Sequence, residues 1–214
     1  MRGVHEWQTG YVRRAFAFFD APTTPRPPRE HRYMSTAQES VQDLRFPVGK
    51  FQRPAELDAQ GRAKAIEIVA AAPARLREAV RGLTPEQIDT PYRPDGWTVR
   101  QVAHHVADSH LNAFVRFKLA LTEDSPTIKP YDEAKWAELP DVFDVPIETS
   151  LTLVDAVHER WLAILRAMKP ADFERQLVHP ESGKQRLDQV LALYAWHSQH
   201  HVAHVTSLRQ RKGW

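Results

Sequence analysis

Helical periodicity, punctuated by helix-start signals and never replaced by strand-like alternation, narrows the possible folds of this chain more than any other feature. Ala55 to Ala72 is rich in Ala, Glu, Lys and Arg. Pro73 then interrupts the pattern, which resumes through Leu83 and predicts a kinked helix or two abutting ones. Thr84-Pro85-Glu86-Gln87 places an N-cap, a proline at the first helical position and a capping Gln in register, the mark of a short helix. Thr98-Val99-Arg100-Gln101 is a second capping box and opens a long helix predicted to reach about Thr122. A third long helix is expected from about Ser150 to Met168, with Val154, Val157, Trp161, Leu165 and Met168 along one face. The last runs from about Leu187 to Arg211, with Gly213 as its C-terminal stop. Asp95-Gly96-Trp97 and His179-Pro180-Glu181-Ser182-Gly183 read as turns. Pro126 to Pro146, anchored by Tyr131, Trp136 and Phe143, reads as a long ordered loop. No alternating pattern of useful length and no fixed-period repeat occurs, so the expected class is all-α, a four-helix bundle.

Composition removes whole function classes. The 214 residues contain no cysteine, which excludes a disulfide framework, a catalytic thiol and thiolate-ligated metal. Net charge is +2 with interspersed signs, so nucleic acid is not an expected partner. No apolar run approaches the ~18 residues of a membrane span, and a cytoplasmic protein is expected. Residues 1–33 hold six Lys/Arg, three Asp/Glu and four prolines, a net +3 that leaves −1 for the remainder. They read as a disordered extension or a mis-assigned start, with Met34 as the natural beginning of a single domain over 34–214.

Seven of the eleven histidines fall in two short windows, His104 to His110 and His197 to His204, each inside a long predicted helix. At ~100° per residue, Val190, Tyr194, His197, His201 and Leu208 lie within roughly 60° of one another. His197 and His201 thus stand in the middle of the core-facing stripe, where an i, i+4 pair can offer two imidazoles to one metal ion. His204 points nearly the same way one turn on; His200 lies to the side and is expected either to stand behind the ligands or to be partly solvated. On the Thr98 helix, His104 projects roughly 150° from the apolar face and is expected in solvent. His105 lies at the margin of that face beside Ser109, and His110 lies within it. Either could supply the third ligand, His110 also reading as a buried ring bonded to a carbonyl. Asp108, one turn from His104 and His105, could orient an imidazole. Three neutral imidazoles suit Zn²⁺ or Ni²⁺ and fit Mg²⁺ or Ca²⁺ poorly.

Several motifs carry a family likeness. They are Pro91-Tyr92-Arg93; the run from Gly96-Trp97-Thr98 through Ala103-His104-His105-Val106-Ala107-Asp108-Ser109-His110; Arg116-Phe117-Lys118 through Asp124; Lys129-Pro130-Tyr131-Asp132; His179-Pro180-Glu181; and Tyr194-Ala195-Trp196-His197-Ser198-Gln199-His200-His201-Val202-Ala203-His204 with Gly213-Trp214. Together they resemble the DinB superfamily, specifically metal-dependent hydrolases of the YfiT type. The likeness begins near Phe46-Pro47-Val48-Gly49 and omits residues 1–33. It implies a four-helix bundle, a homodimer and one zinc or nickel ion per subunit on three histidines. The ligand pattern falls on His105, His197 and His201. Relatives include enzymes that transfer or use low-molecular-weight thiols such as bacillithiol or mycothiol.

The expected function is therefore a metal-dependent hydrolase that activates water toward a small-molecule substrate. The alternatives are a thiol S-transferase on the same ligands, or a non-catalytic metal-binding module, which a fourth ligand from His110 or His204 would favour. Asp108, Glu181 and His200 are the candidate bases. Arg116 and Lys118 could steer an anion but read more readily as solvated. Trp97 and Trp136 could line the cleft but read more readily as core anchors.

Overall fold

The computed structural model describes residues 43–214; the expectations for residues 1–33 and for a start at Met34 lie outside the described residues. Four long helices make up the fold: α1 (Ala59–Val80), α3 (Val99–Thr122), α6 (Ile147–Ala167) and α7 (Leu187–Lys212). Three short ones, α2 (Pro85–Ile88), α4 (Glu133–Trp136) and α5 (Pro140–Asp144), join them. α1 packs on α7 and α6, and α3 packs on α6 and α7, so the four close into a ring with α1 and α3 on one diagonal.

Local chemistry sets the ends of these helices. The Thr98 and Thr84 side chains accept from the backbone N–H of Gln101 and Gln87, while those glutamines reach back to the cap N–H, completing both predicted capping boxes. Gly213 ends α7 at φ 69°, a left-handed conformation that costs a glycine little. α1 starts on Asp58, whose side chain accepts from Gly61 N–H, and runs unbroken through Pro73. Of the two expected forms, a single helix is found and two abutting ones are not. Pro73 removes only the bond to Val69 O four residues back, and that oxygen accepts from the ring of His158 instead, at 2.9 Å.

A second departure is a small antiparallel hairpin, β1 (Gln176–His179) with β2 (Gly183–Arg186), folded about the predicted turn and opened by Gly183 at φ 75°. Its strands are four residues long, too short for alternation to stand out. The Pro126–Pro146 stretch is ordered as expected but contains α4 and α5. No helix among the described residues is long and apolar enough to cross a membrane.

Two apolar clusters fill the bundle. One gathers Val69, Phe117, Trp161, Leu191 and Tyr194; the other gathers Leu76, Val102, Val106, Val154 and Val205. Burying a side chain such as Leu191 contributes about 1.5–3 kcal/mol. On α7 His197, His200, His201 and His204 fall between Ala195 of the first cluster and Val205 of the second, and on α3 His110 falls between Ala107 and Ala113, so imidazoles mark the boundary between the two clusters.

Candidate metal centre

Adjacent packing of α3 and α7 brings His105 against the i, i+4 pair His197 and His201. One ligand-type atom from each lies within 4.8 Å of the others, and together they could hold a metal ion. His105 Nε2 stands 3.2 Å from His197 Nε2. Two nitrogens on a tetrahedral ion with bonds of about 2.0–2.1 Å sit about 3.3 Å apart, so this pair is already at ligand spacing. The His197 and His201 rings are 4.4 Å apart between centroids, as one helical turn requires. His105 and His201 are buried, and His197 is partly exposed.

Burial keeps these rings unprotonated. It holds His105 at about 4, the charge of His200 adding to the effect. His197 and His201 lie well below the ordinary imidazole range, through burial first and the neighbouring rings second. Neutral imidazoles with free lone pairs are what a borderline divalent ion binds.

The surrounding histidines divide differently from the expectation. His110 Nε2 lies 3.2 Å from His197 Nδ1, and its Nδ1 lies 2.6 Å from His158 Nε2. It therefore bonds rings on both sides rather than a carbonyl, and neither nitrogen is free to close the site as a fourth ligand. His204 is similarly engaged, 3.4 Å from His201 Nδ1 and 3.3 Å from Arg45 O, with its face on Tyr92 at 3.9 Å. His104 is not solvated: it is buried, with Nδ1 2.7 Å from Ser150 Oγ. α3 packs on α5 as well as on α6 and α7, so the side opposite its main apolar face is covered too. Of the two expectations for His200, a place behind the ligands fits and partial solvation does not, its ring lying 5.1 Å from that of His201. The His200 ring is buried, stacks on Trp196 at 4.3 Å and is overlain by Phe46, and burial brings it to about 4.

Among the other candidates, Asp108 is partly buried, and burial with the charge of Asp141 raises it to about 6. No imidazole is its hydrogen-bond partner among the described residues. Glu181 sits exposed in the hairpin turn, and exposed Lys118 lies over the Phe114 ring. Arg116 is half-buried, and its charge acts on Tyr131, Tyr194, Glu133 and His179. Trp136 is 38% exposed against Tyr131. Trp97 lines the site, its ring 4.7 Å from His105 and 6.4 Å from His201. The tight turn before it needs Gly96, where a Cβ would stand 2.6 Å from Arg93 Cγ.

Three further residues belong to the surroundings. Ser109 Oγ is 3.5 Å from both His197 Nε2 and Tyr194 OH. The Tyr131 hydroxyl is buried near Ser109, and burial raises its pKa while the Ser109 hydroxyl opposes part of the rise. His158 was missed by the sequence reading, although it falls within the apolar stripe of α6 between Val154 and Trp161.

The chain is similar to several known proteins. A family model described as the DinB superfamily matches residues 68–205. A Bacillus mycoides protein named "Putative metal-dependent hydrolase" is 49% identical over 174 residues, spanning 81% of this chain and 100% of that protein. One from Bacillus cereus with the same designation is 48% identical over the same spans. The solved structure of YfiT from Bacillus subtilis, described as "a probable metal-dependent hydrolase with an unusual four-helix bundle topology", superposes with a TM-score of 0.78. It is 45% identical and covers 80% of this chain and 98% of its own.

Proposed function

The chain belongs to the DinB superfamily, and we propose that this protein is a metal-dependent hydrolase whose divalent ion is held by His105, His197 and His201. The observation that carries the reading is the convergence of three neutral imidazoles from two helices, their donor atoms within 4.8 Å. The names of the relatives support it. A set of nitrogen donors without thiolate favours Zn²⁺ or Ni²⁺. Three protein ligands are one fewer than a closed structural site uses, and the engagement of His110 and His204 elsewhere supports reaction over a purely structural role.

When bound, such an ion lowers the pKa of water toward ~7 and supplies a nucleophile at neutral pH. The chain's own groups would do the rest. Asp108, one turn along α3 from His105 and raised to about 6, is suited to accept and return a proton near neutrality. The buried Tyr131 hydroxyl and the Arg116 guanidinium would receive the polar part of a small substrate. Trp97 would pack beside the ligating His105 and His201 rings and limit their movement.

The test is a panel of chromogenic esters, amides and phosphoesters assayed with chelator-stripped and metal-reloaded protein, with and without a small thiol. Hydrolysis restored by Zn²⁺ or Ni²⁺ and absent in His201→Ala is expected. Activity that persists in chelator would overturn the proposal. Thiol consumption strictly dependent on metal would replace hydrolysis with S-transfer at the same ligands.

A further inference from the structure

We propose that His110, His158 and His204 are positioning residues that hold His197 and His201 as Nδ1-protonated tautomers, leaving both Nε2 atoms to the ion. The inference rests on the metal reading above and specifies how the bundle prepares that site.

A carbonyl oxygen can only accept, so it gives direction to any string of imidazoles that ends on it. Val69 O is such an end, and it is free because Pro73, four residues later on α1, has no N–H to offer. His158 Nδ1, at 2.9 Å, must therefore be the donor. A neutral ring with its proton on Nδ1 accepts at Nε2, so His110 Nδ1 is the donor across 2.6 Å. His110 Nε2 is then the acceptor, and His197 Nδ1 is the donor across 3.2 Å. What remains on His197 is the bare Nε2, which faces His105. The string crosses all four long helices, from α1 through α6 and α3 to α7.

A shorter string does the same for His201. Arg45 O accepts from His204 Nε2 at 3.3 Å, so His204 Nδ1 is the acceptor and His201 Nδ1 the donor at 3.4 Å. The Nε2 of His201 is again left without a proton. Two strings of different length, ending on carbonyls in different segments, thus reach the same tautomer at both members of the i, i+4 pair. A ring carrying its proton on Nε2 would have to lose or move it before ligating, and that cost would appear as weaker metal binding.

The tautomers are read directly by long-range ¹H–¹⁵N NMR of the metal-free wild-type protein, in which the His197 and His201 rings should carry their protons on Nδ1. In parallel, Zn²⁺ affinity is measured by competition with a chromophoric chelator. His158→Leu, which touches none of the three ligands, should weaken binding by roughly 10–100-fold, and His158→Gln, which can accept and donate, should recover part of the loss. A His197 proton on Nε2, or a His158→Leu protein that binds Zn²⁺ within about twofold of wild type, would overturn the positioning role. Failure of the wild type to take up Zn²⁺ would instead overturn the metal reading, and the NMR result would still decide the tautomers.

Discussion

An imidazole held neutral inside a bundle ties the stability of the fold to pH. His158 and His200 are buried and titrate at about 4 in the native state, against ~6.5 in an unfolded chain. Between those values the unfolded chain binds protons that the native protein does not. Stability is therefore complete above about pH 6.5 and falls as the pH drops toward 4, by at most ~1.4 kcal/mol per pH unit for each such ring. Urea denaturation of the metal-free protein should show a midpoint that declines from pH 7 to pH 5; a midpoint constant over that range would contradict the burial of these rings as neutral bases. At this scale the sequence was partly legible. His197 and His201 stand out because spacing and apolar neighbours coincide. A lone histidine such as His158 resembles an ordinary core residue until the carbonyl and the ring it joins are known. His104 misled because a projection identifies one core face, whereas α3 is covered on several.

The interplay of Pro73 and Val69 belongs to the element. An interior proline costs a helix about 3 kcal/mol relative to alanine, through the lost bond and the clash with the preceding turn. In α1 the orphaned Val69 carbonyl is taken up by His158, so part of that loss serves the imidazole string. Pro73→Ala should restore an N–H that competes for Val69 O. The expected result is a metal-free protein with a raised Tm but weaker Zn²⁺ binding. Both quantities rising together would contradict the link between this helix and the site. Capping boxes made the starts of α2 and α3 readable to the residue, since their signal is local. The hairpin was hidden for the opposite reason: four-residue strands hold together through pairing with each other and the bridge from Thr127 to Val178, none of which a linear pattern records.

At the scale of the whole molecule, four apolar stripes announce a bundle but do not say which helix lies beside which. That arrangement decides the site, because the ligands come from α3 and α7 and the longer imidazole string needs all four neighbours in order. The choice of His105 over His110 as third ligand was likewise open from spacing alone and was implied by the family resemblance; in the structure His110 is committed to His158 and His197. A ligand shared between α3 and α7 should also hold the bundle together. Zn²⁺ at 100 times its Kd would add about 2.7 kcal/mol of stability, which at about 2–4 °C per kcal/mol for a chain of this size raises Tm by roughly 5–10 °C. Thermal unfolding with and without Zn²⁺ checks this, and an unchanged Tm at saturation would show that the ion binds the unfolded chain equally well. The central claim is tested most directly by metal analysis of protein equilibrated with Zn²⁺ and then dialysed. One ion per chain in the wild type, and far less in His105→Ala and His201→Ala proteins that remain folded, is the predicted result; a wild type without bound metal, or variants that retain a full equivalent, would contradict it.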